Sequence, residues 1–261
     1  MIIQIINCIG QTSLNLCGSI GTFILFFVQT VRTLTSTKLR VTKLFEQMDR
    51  IGVNSLIITV ITGIFAGAVL AVQSYKGFKQ FGGEEFLGPV VALSMAREIG
   101  PVLTGFMVTA RAGSAITAEL GTMEITEQID ALKTLSINVF QYLIIPRVLA
   151  ATIILPFLTL FSILFGILGG YVVSIKVLGL TTEQYTSGIK EMVEVYDVVG
   201  GMIKGSIFGL IMATVGCYKG YTTSGGARGV GMSTTQSVVL SSILIVIANY
   251  FLAVVLFGPL G

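Results

Sequence analysis

Three ionisable residues lie within long apolar segments, where a charge has a large energetic cost. Arg97 and Glu98 are adjacent in VALSMAREIGPVLTG, and Lys204 lies in VVGGMIKGSIFGL. A charged side chain at the centre of a bilayer costs about 2.5–3.5 kcal/mol on insertion scales, so these residues should face a partner or a watery cavity. Glu98 could neutralise Lys204 or Arg97, and the surplus positive charge would suit an anionic headgroup. Alternatively, an ion pair here only holds two helices together. Gly100 and Pro101 follow directly and would weaken the helix.

A second charged feature is the polar connection of residues 111–147, which lies between two apolar segments. Only 11% of the residues in the chain are charged, yet this connection holds four carboxylates: Glu119, Glu124, Glu127 and Asp130. Such a segment cannot lie in hydrocarbon. We therefore expect it at a membrane surface, where its carboxylates can engage a basic cleft of a soluble protein.

The connection is predicted to contain a short docking helix that begins at Thr122. Threonine is a suitable N-cap, and Glu124 would lie in the first turn, where a carboxylate complements the helix dipole. An apolar face would lie at i, i+4 and i+7, formed by Ile125, Ile129 and Leu132. The alternative interpretation is an ordinary solvated loop helix.

The elements that position these residues are membrane-spanning helices. The chain has 261 residues, of which 53% are hydrophobic, and five apolar runs are long enough to cross a core of about 30 Å. They are residues 52–73, 86–108, 143–173, 198–217 and 238–257. A sixth run, 14–31, could cross the membrane or lie in its interface as an elbow helix. The predicted fold class is an all-α integral membrane protein, with residues 1–50 as an N-terminal interfacial region and basic linker and 51–261 as the transmembrane domain.

Basic residues predict the orientation of these spans. The connections on one side of the membrane hold ten basic residues: Arg32, Lys38, Arg40, Lys43, Arg50, Arg111, Lys133, Arg147, Lys219 and Arg228. The connections on the opposite side hold four: Lys76, Lys79, Lys176 and Lys190. The side with ten is predicted to be cytoplasmic, which places the acidic connection in the cytoplasm.

Glycines at small-x-x-x-small spacing predict close helix packing, mainly within one chain: Gly63 and Gly67, Gly166 and Gly170, and Gly201, Gly205 and Gly209.

From about residue 41 to its end, the chain resembles the MlaE family of ABC-transporter permeases. The resemblance is carried by VALSMAREIGPVLTGFMVTARAGSAITAELGTMEITEQIDALKTL, by IIPRVLA and by GIFAGAVLAVQ. It implies two copies in the bacterial inner membrane, each bound to a cytoplasmic ATPase through the helix after the second span. It also implies a periplasmic MCE-domain partner, a phospholipid substrate exchanged with the outer membrane to maintain its lipid asymmetry, and an in-plane elbow for residues 14–31.

The resemblance and the charge pattern together suggest how such a subunit would work. ATP-driven closure of the partner would move residues 119–135 and reshape a lipid pocket at the interface between the two copies. The expected coupling residues are Glu119, Glu124, Glu127 and Asp130. The expected substrate path has Leu70, Tyr75, Phe78 and Phe81 near its mouth and Arg97, Glu98 and Lys204 deeper. The residues alone favour the alternative that the aromatic side chains are interfacial anchors.

We expect no catalytic site, metal site, cofactor or nucleic-acid partner for this chain itself, and ATP should be bound by the partner subunit. The glycine-rich loop of residues 222–232 lacks the Gly-x-x-x-x-Gly-Lys-Ser/Thr order. The absence of histidine removes the common metal and nucleophile arrangements of an intramembrane enzyme. Two other functions stay open: an ion-coupled secondary transporter that uses Glu98 and Lys204, and a structural scaffold subunit.

Overall fold

The computed structural model describes residues 2–36 and 40–258, with side chains described from residue 20 onward. No strand occurs in these ranges. The helices are α1 (Ile2–Ser36), α2 (Val41–Lys79), α3 (Leu87–Ser94), α4 (Gly100–Val108), α5 (Ser114–Ile125), α6 (Gln128–Thr134), α7 (Ile145–Lys176), α8 (Thr182–Met192), α9 (Val195–Tyr221) and α10 (Gly226–Phe257). Short π-helical turns at Met95–Ile99, Thr109–Gly113 and Phe140–Ile144 join consecutive segments.

Five helical stretches among the described residues are long and apolar enough to cross a membrane. They are Val41–Lys79, Glu84–Ile125, Phe140–Lys176, Val195–Tyr221 and Gly226–Phe257. A shorter apolar helix, Ile20–Ser36, precedes them. The predicted all-α membrane fold and its five spans are therefore confirmed, although each helix is longer than its apolar run. The in-plane placement of α1 stays a prediction, as does the domain boundary at residue 50, which would lie inside α2.

The prediction that a separate docking helix begins at Thr122 is wrong. The second span continues through α5 to Ile125, so Thr122 and Glu124 lie in its last turn. Alanine, glutamate and leucine favour continuation of this helix, and Gly121 is accommodated because it packs against Thr223. The chain turns at Glu127, which has a left-handed backbone (φ 60°) and precedes the first residue of α6.

Glycines bring α2, α7 and α9 into direct backbone contact, as their spacing predicts. A Cβ atom on Gly67 would overlap the carbonyl oxygen of Gly166, and one on Gly63 would lie 2.7 Å from that of Ser162. Nearer the start of α7, a Cβ on Gly209 would lie 2.5 Å from the carbonyl oxygen of Ala151. These residues therefore serve packing within the chain, since any side chain would force the helices apart.

The bundle has two ends with different chemistry. We call the end formed by the starts of α2, α7 and α10 and the ends of α5 and α9 the basic end. There Arg50 of α2 and Arg147 of α7 both bond to Glu119 of α5. At the opposite end, α8 packs across α3 through Tyr185, whose backbone carbonyl lies against Gly88. Tyr185 is 1% exposed, and its hydroxyl donates to the carbonyl oxygen of Ile167 (3.2 Å).

Candidate functional site

The charged residues within the second and fourth spans form a cluster centred on Glu98. Lys204 is fully buried, and its Nζ lies 2.6 Å from Glu98 Oε1 and 2.9 Å from the carbonyl oxygen of Arg97. Asn249 of α10 donates from Nδ2 to Glu98 Oε2 (2.8 Å). Glu98 therefore joins three spans, and its pairing with Lys204 confirms one of the two partners that the sequence allowed.

Arg97 pairs with an acid that sequence reasoning missed. Its Nε donates to Oδ1 of Asp197 (2.7 Å), which is 1% exposed at the start of α9. Asp197 also caps that helix, because its Oδ2 accepts from the backbone N–H of Glu194. A signal existed in the sequence: Asp197 precedes Lys204 by seven residues, which puts both on one face of a helix.

With Asp197 included, the cluster has no formal surplus charge, contrary to the positive surplus expected from the sequence. We call Arg97, Glu98, Asp197, Lys204 and Asn249 the membrane cluster. Its acceptor Asn249 Oδ1 has no hydrogen-bond partner within the described residues. Arg97 and Glu98 are about 40% exposed while their partners are buried. The cluster therefore presents one cation and one anion outward, an arrangement that suits a zwitterionic group.

A π-helical turn explains how adjacent residues can face two different partners. The turn Met95–Ile99 contains both Arg97 and Glu98 and is followed by Gly100 and Pro101. The extra residue of a π turn rotates side chains relative to a regular α-helix, and such turns recur at functional sites. Pro101 was expected to weaken the helix, and the irregularity lies in the turn immediately before it.

The four residues expected at the mouth of a lipid path, one aliphatic and three aromatic, are only partly brought together. Leu70, Tyr75 and Phe78 pack at the opposite end of the bundle in a cluster that includes Met95. Phe81 is 88% exposed and does not join them. Three of the four residues thus lie on the same packed surface that leads to the turn carrying Arg97 and Glu98.

At the basic end, Glu119 holds two arginines from different helices. Its Oε1 accepts from Arg50 (3.0 Å) and its Oε2 from Arg147 (3.0 Å). Arg147 is 6% exposed and also donates to the carbonyl oxygen of Leu143 (2.7 Å). Glu119 is therefore part of an ion-pair network that ties α2, α5 and α7 together.

The other three predicted coupling carboxylates lie around α6 in different environments. Glu124 is half-buried and its Oε2 has no partner within the described residues. Glu127 is exposed at the turn. Asp130 is exposed and accepts from Lys133 Nζ (2.8 Å), a hydrogen bond that raises the pKa of Lys133. Glu124 belongs to α5 and Asp130 to α6, so the three carboxylates do not share one face of a single helix.

The apolar face of this region is confirmed in part. Ile129 is completely buried at the basic end, while Ile125 and Leu132 are partly buried. Burial of Ile129 fixes α6 to the bundle, because leaving such a side chain exposed would cost about 1.5–3 kcal/mol. Helix α6 is thus attached firmly while its polar side faces outward.

Aromatic side chains connect α1 to this same end. Phe26 is 6% exposed and contacts the rings of Phe140, Tyr218 and Tyr221, with centroids 5.2–6.0 Å apart. Lys133 of α6 lies 5.5 Å from the centre of the Tyr221 ring. The N-terminal helix, α6 and α9 therefore share one packed cluster, which sequence periodicity does not reveal.

Within the part of the chain that the structure describes, no group of three or more His, Cys, Asp or Glu side chains could hold a metal ion. The remaining chemistry consists of ion pairs, hydrogen bonds and apolar surface. Such an arrangement can bind and reposition an amphipathic molecule.

The chain matches the family model described as Permease MlaE over residues 44–255. It is 42% identical over 257 residues to a probable ABC transporter permease protein of Rickettsia bellii, covering 98% of this chain and 99% of that protein. It is 37% identical to the chloroplastic protein TRIGALACTOSYLDIACYLGLYCEROL 1 of Arabidopsis thaliana, covering 89% and 67%. It is 35% identical to the intermembrane phospholipid transport system permease protein MlaE of Haemophilus influenzae, covering 82% and 83%.

Proposed function

The chain belongs to the MlaE family of ABC transporter permeases, and we propose that it moves phospholipids between the inner and outer membranes of a bacterium. The Haemophilus relative is named as the permease of a phospholipid transport system, which supports this substrate class. In this proposal the subunit lies in the inner membrane and helps to maintain the lipid asymmetry of the outer membrane.

The observation that carries the proposal is the way α6 is built into the bundle. Ile129 fixes the helix to the core, while Glu127 and Asp130 remain exposed on its outer side. This short helix connects directly to the second and third spans, so a force on it reaches both. A soluble ATPase that binds these carboxylates would therefore move the second span, which carries Arg97 and Glu98 of the membrane cluster.

The membrane cluster and the apolar surface near it supply the proposed lipid path. The outward-facing Arg97 and Glu98 complement the phosphate and the cationic part of a zwitterionic headgroup. Leu70, Tyr75 and Phe78 provide an apolar surface for acyl chains on the way to the opposite end of the bundle. The proposed partners are a second copy of this chain, a cytoplasmic ATPase and a periplasmic MCE-domain protein.

The coupling role is tested by charge removal on α6. The double variant Glu127→Ala/Asp130→Ala is purified in mild detergent, and the co-purifying ATPase is identified and quantified by mass spectrometry. We expect a loss of about tenfold or more in captured ATPase, since charge-assisted contacts contribute about 1.5–3 kcal/mol each. The matched control removes exposed carboxylates of α8 at the opposite end, Glu183→Ala/Glu191→Ala, and should capture normal amounts. Equal capture by both variants would show that α6 is not the coupling element.

The Glu98–Lys204 pair also favours one competing function, an ion-coupled carrier, because a titratable pair inside the membrane is a feature of proton relays. Reconstituted vesicles separate the two functions. A carrier would move lipid under a proton gradient without ATP, and a protonophore would stop it. An ABC permease would require its ATPase and would continue in the presence of the protonophore.

A further inference from the structure

A cavity lined by both charged and apolar side chains lies at the basic end, between the start of α2, the end of α5 and the start of α7. Its volume is about 570 Å³, within the usual range for small-ligand sites. Three cationic side chains and two carboxylates line it, which leaves a formal surplus of one positive charge. They are Lys43, Arg50, Arg147, Glu46 and Glu119.

A second, smaller cavity of about 230 Å³ adjoins the first, and Arg50 and Glu119 line both. It adds Arg111, whose Nη1 donates to Ser55 Oγ (3.0 Å). Tyr142 lines the first cavity, and the guanidinium carbon of Arg40 lies 4.9 Å from the centre of its ring. The combined region therefore carries more cations than its own carboxylates can neutralise.

Arg147 provides the strongest evidence that this cavity is a ligand site. It is 6% exposed and lines the larger cavity, yet its Nε donor has no partner within the described residues. A buried guanidinium donor without an acceptor is costly and uncommon. Nη1 donates to the Leu143 carbonyl oxygen and Nη2 to Glu119, whereas Nε has no acceptor within the described residues and could bind a further anionic or polar oxygen.

The level of the site relative to the membrane indicates which kind of molecule supplies that oxygen. Arg50, Arg111 and Arg147 each lie within four residues of the end of a predicted apolar span, at positions 52, 108 and 143. Three spans thus place a guanidinium at the level where hydrocarbon meets lipid headgroups on the cytoplasmic side. Met123, Leu143 and Pro146 add apolar lining beside these cations. We propose that this cavity binds the phosphate of an anionic phospholipid of the cytoplasmic leaflet.

This site is separate from the membrane cluster, and it does not rest on the proposed transport function. The lipid phosphate would complete the network that Glu119 forms between α2, α5 and α7. Because α6 follows α5 directly, an occupied site would stiffen the element proposed to contact the ATPase. The ligand class is a monoanionic phosphodiester with acyl chains, for which arginine forks are well suited.

Binding is measured on the purified full-length chain in detergent, by native mass spectrometry with added phosphatidylglycerol. Diacylglycerol serves as the probe without a phosphate, and inorganic phosphate as the probe without acyl chains. We expect retention of phosphatidylglycerol but not of diacylglycerol, and no displacement by inorganic phosphate at equal concentration. Displacement by inorganic phosphate would identify a free-anion site and overturn the lipid assignment.

Variants locate the bound lipid. Arg50→Gln should lower phosphatidylglycerol retention about tenfold, since it removes a charge-assisted contact, and Lys43→Gln should lower it as well. Lys43 is 41% exposed and pairs with Glu46 on its own helix, so this variant decides the question if Arg50→Gln does not fold. Arg228→Gln, an exposed cation at the same end but outside both cavities, is the matched control. Unchanged retention in both cavity variants would refute the site.

Discussion

Replacing Glu98 by glutamine is expected to destabilise the fold more than replacing its partner Lys204 by methionine. Lys204 is fully buried, so Glu98→Gln leaves a buried ammonium without its counter-charge, at a cost of about 3–5 kcal/mol. Lys204→Met leaves a carboxylate that is 41% exposed and still bonded to Asn249. The hydrogen bond from the Asn249 amide still stabilises this carboxylate, so the cost should be about 1–3 kcal/mol.

The double variant Glu98→Gln/Lys204→Met removes both charges together. It should cost about as much as Lys204→Met alone, because no uncompensated charge stays buried, and the coupling energy should therefore equal the cost of Glu98→Gln, about 3–5 kcal/mol. The assay is reversible unfolding of the detergent-solubilised protein, followed by circular dichroism for all four members of the cycle. The exposed pair Asp130–Lys133 serves as the control cycle, with an expected coupling below about 0.5 kcal/mol. Additive costs at Glu98 and Lys204 would contradict the reasoning.

Three further perturbations test packing and titration. Gly67→Ala should cost about 3 kcal/mol or more in unfolding free energy because its Cβ meets backbone, whereas Gly77→Ala, in open space, should be neutral or stabilising. Phe26→Ala should cost about 3 kcal/mol and expose α1 to limited proteolysis; unchanged protease resistance would count against the aromatic cluster. Burial raises the pKa of Tyr185, so its contribution to stability is present below the ordinary tyrosine pKa of about 10 and falls as pH rises above it. Tyr185→Phe should cost about 1 kcal/mol at neutral pH and lose less stability between pH 8 and pH 11; parallel pH profiles would refute this.

Apolar run length predicted the five spans because hydrocarbon thickness sets a minimum length that does not depend on tertiary contacts. The close helix packing at Gly67 and at the other glycines spaced four residues apart was also predictable, because small residues at that spacing allow backbones to meet. The helix ends were less predictable. Thr122 was expected to begin a helix, but α5 continues past it because packing of Gly121 on Thr223 outweighs the local capping preference.

The membrane cluster shows a different limit of sequence reasoning. A mid-span charge signals that a partner exists, which is why the sequence named Lys204 as one of two possible partners of Glu98, the other being Arg97. Asp197 lies at the start of α9 and Asn249 lies in α10, and they bond to Arg97 and Glu98 of the π turn Met95–Ile99. Periodicity of a regular α-helix cannot place residues across such a turn.

The most direct test of the whole account is lipid movement in vesicles that contain this chain together with its co-purified ATPase. A phospholipid labelled on its acyl chain is followed with ATP, with a non-hydrolysable ATP analogue, and with ATP plus a protonophore. We predict movement with ATP, none with the analogue, and no effect of the protonophore. Movement that continues with the analogue and stops with the protonophore would contradict an ATP-coupled phospholipid permease and favour an ion-coupled carrier.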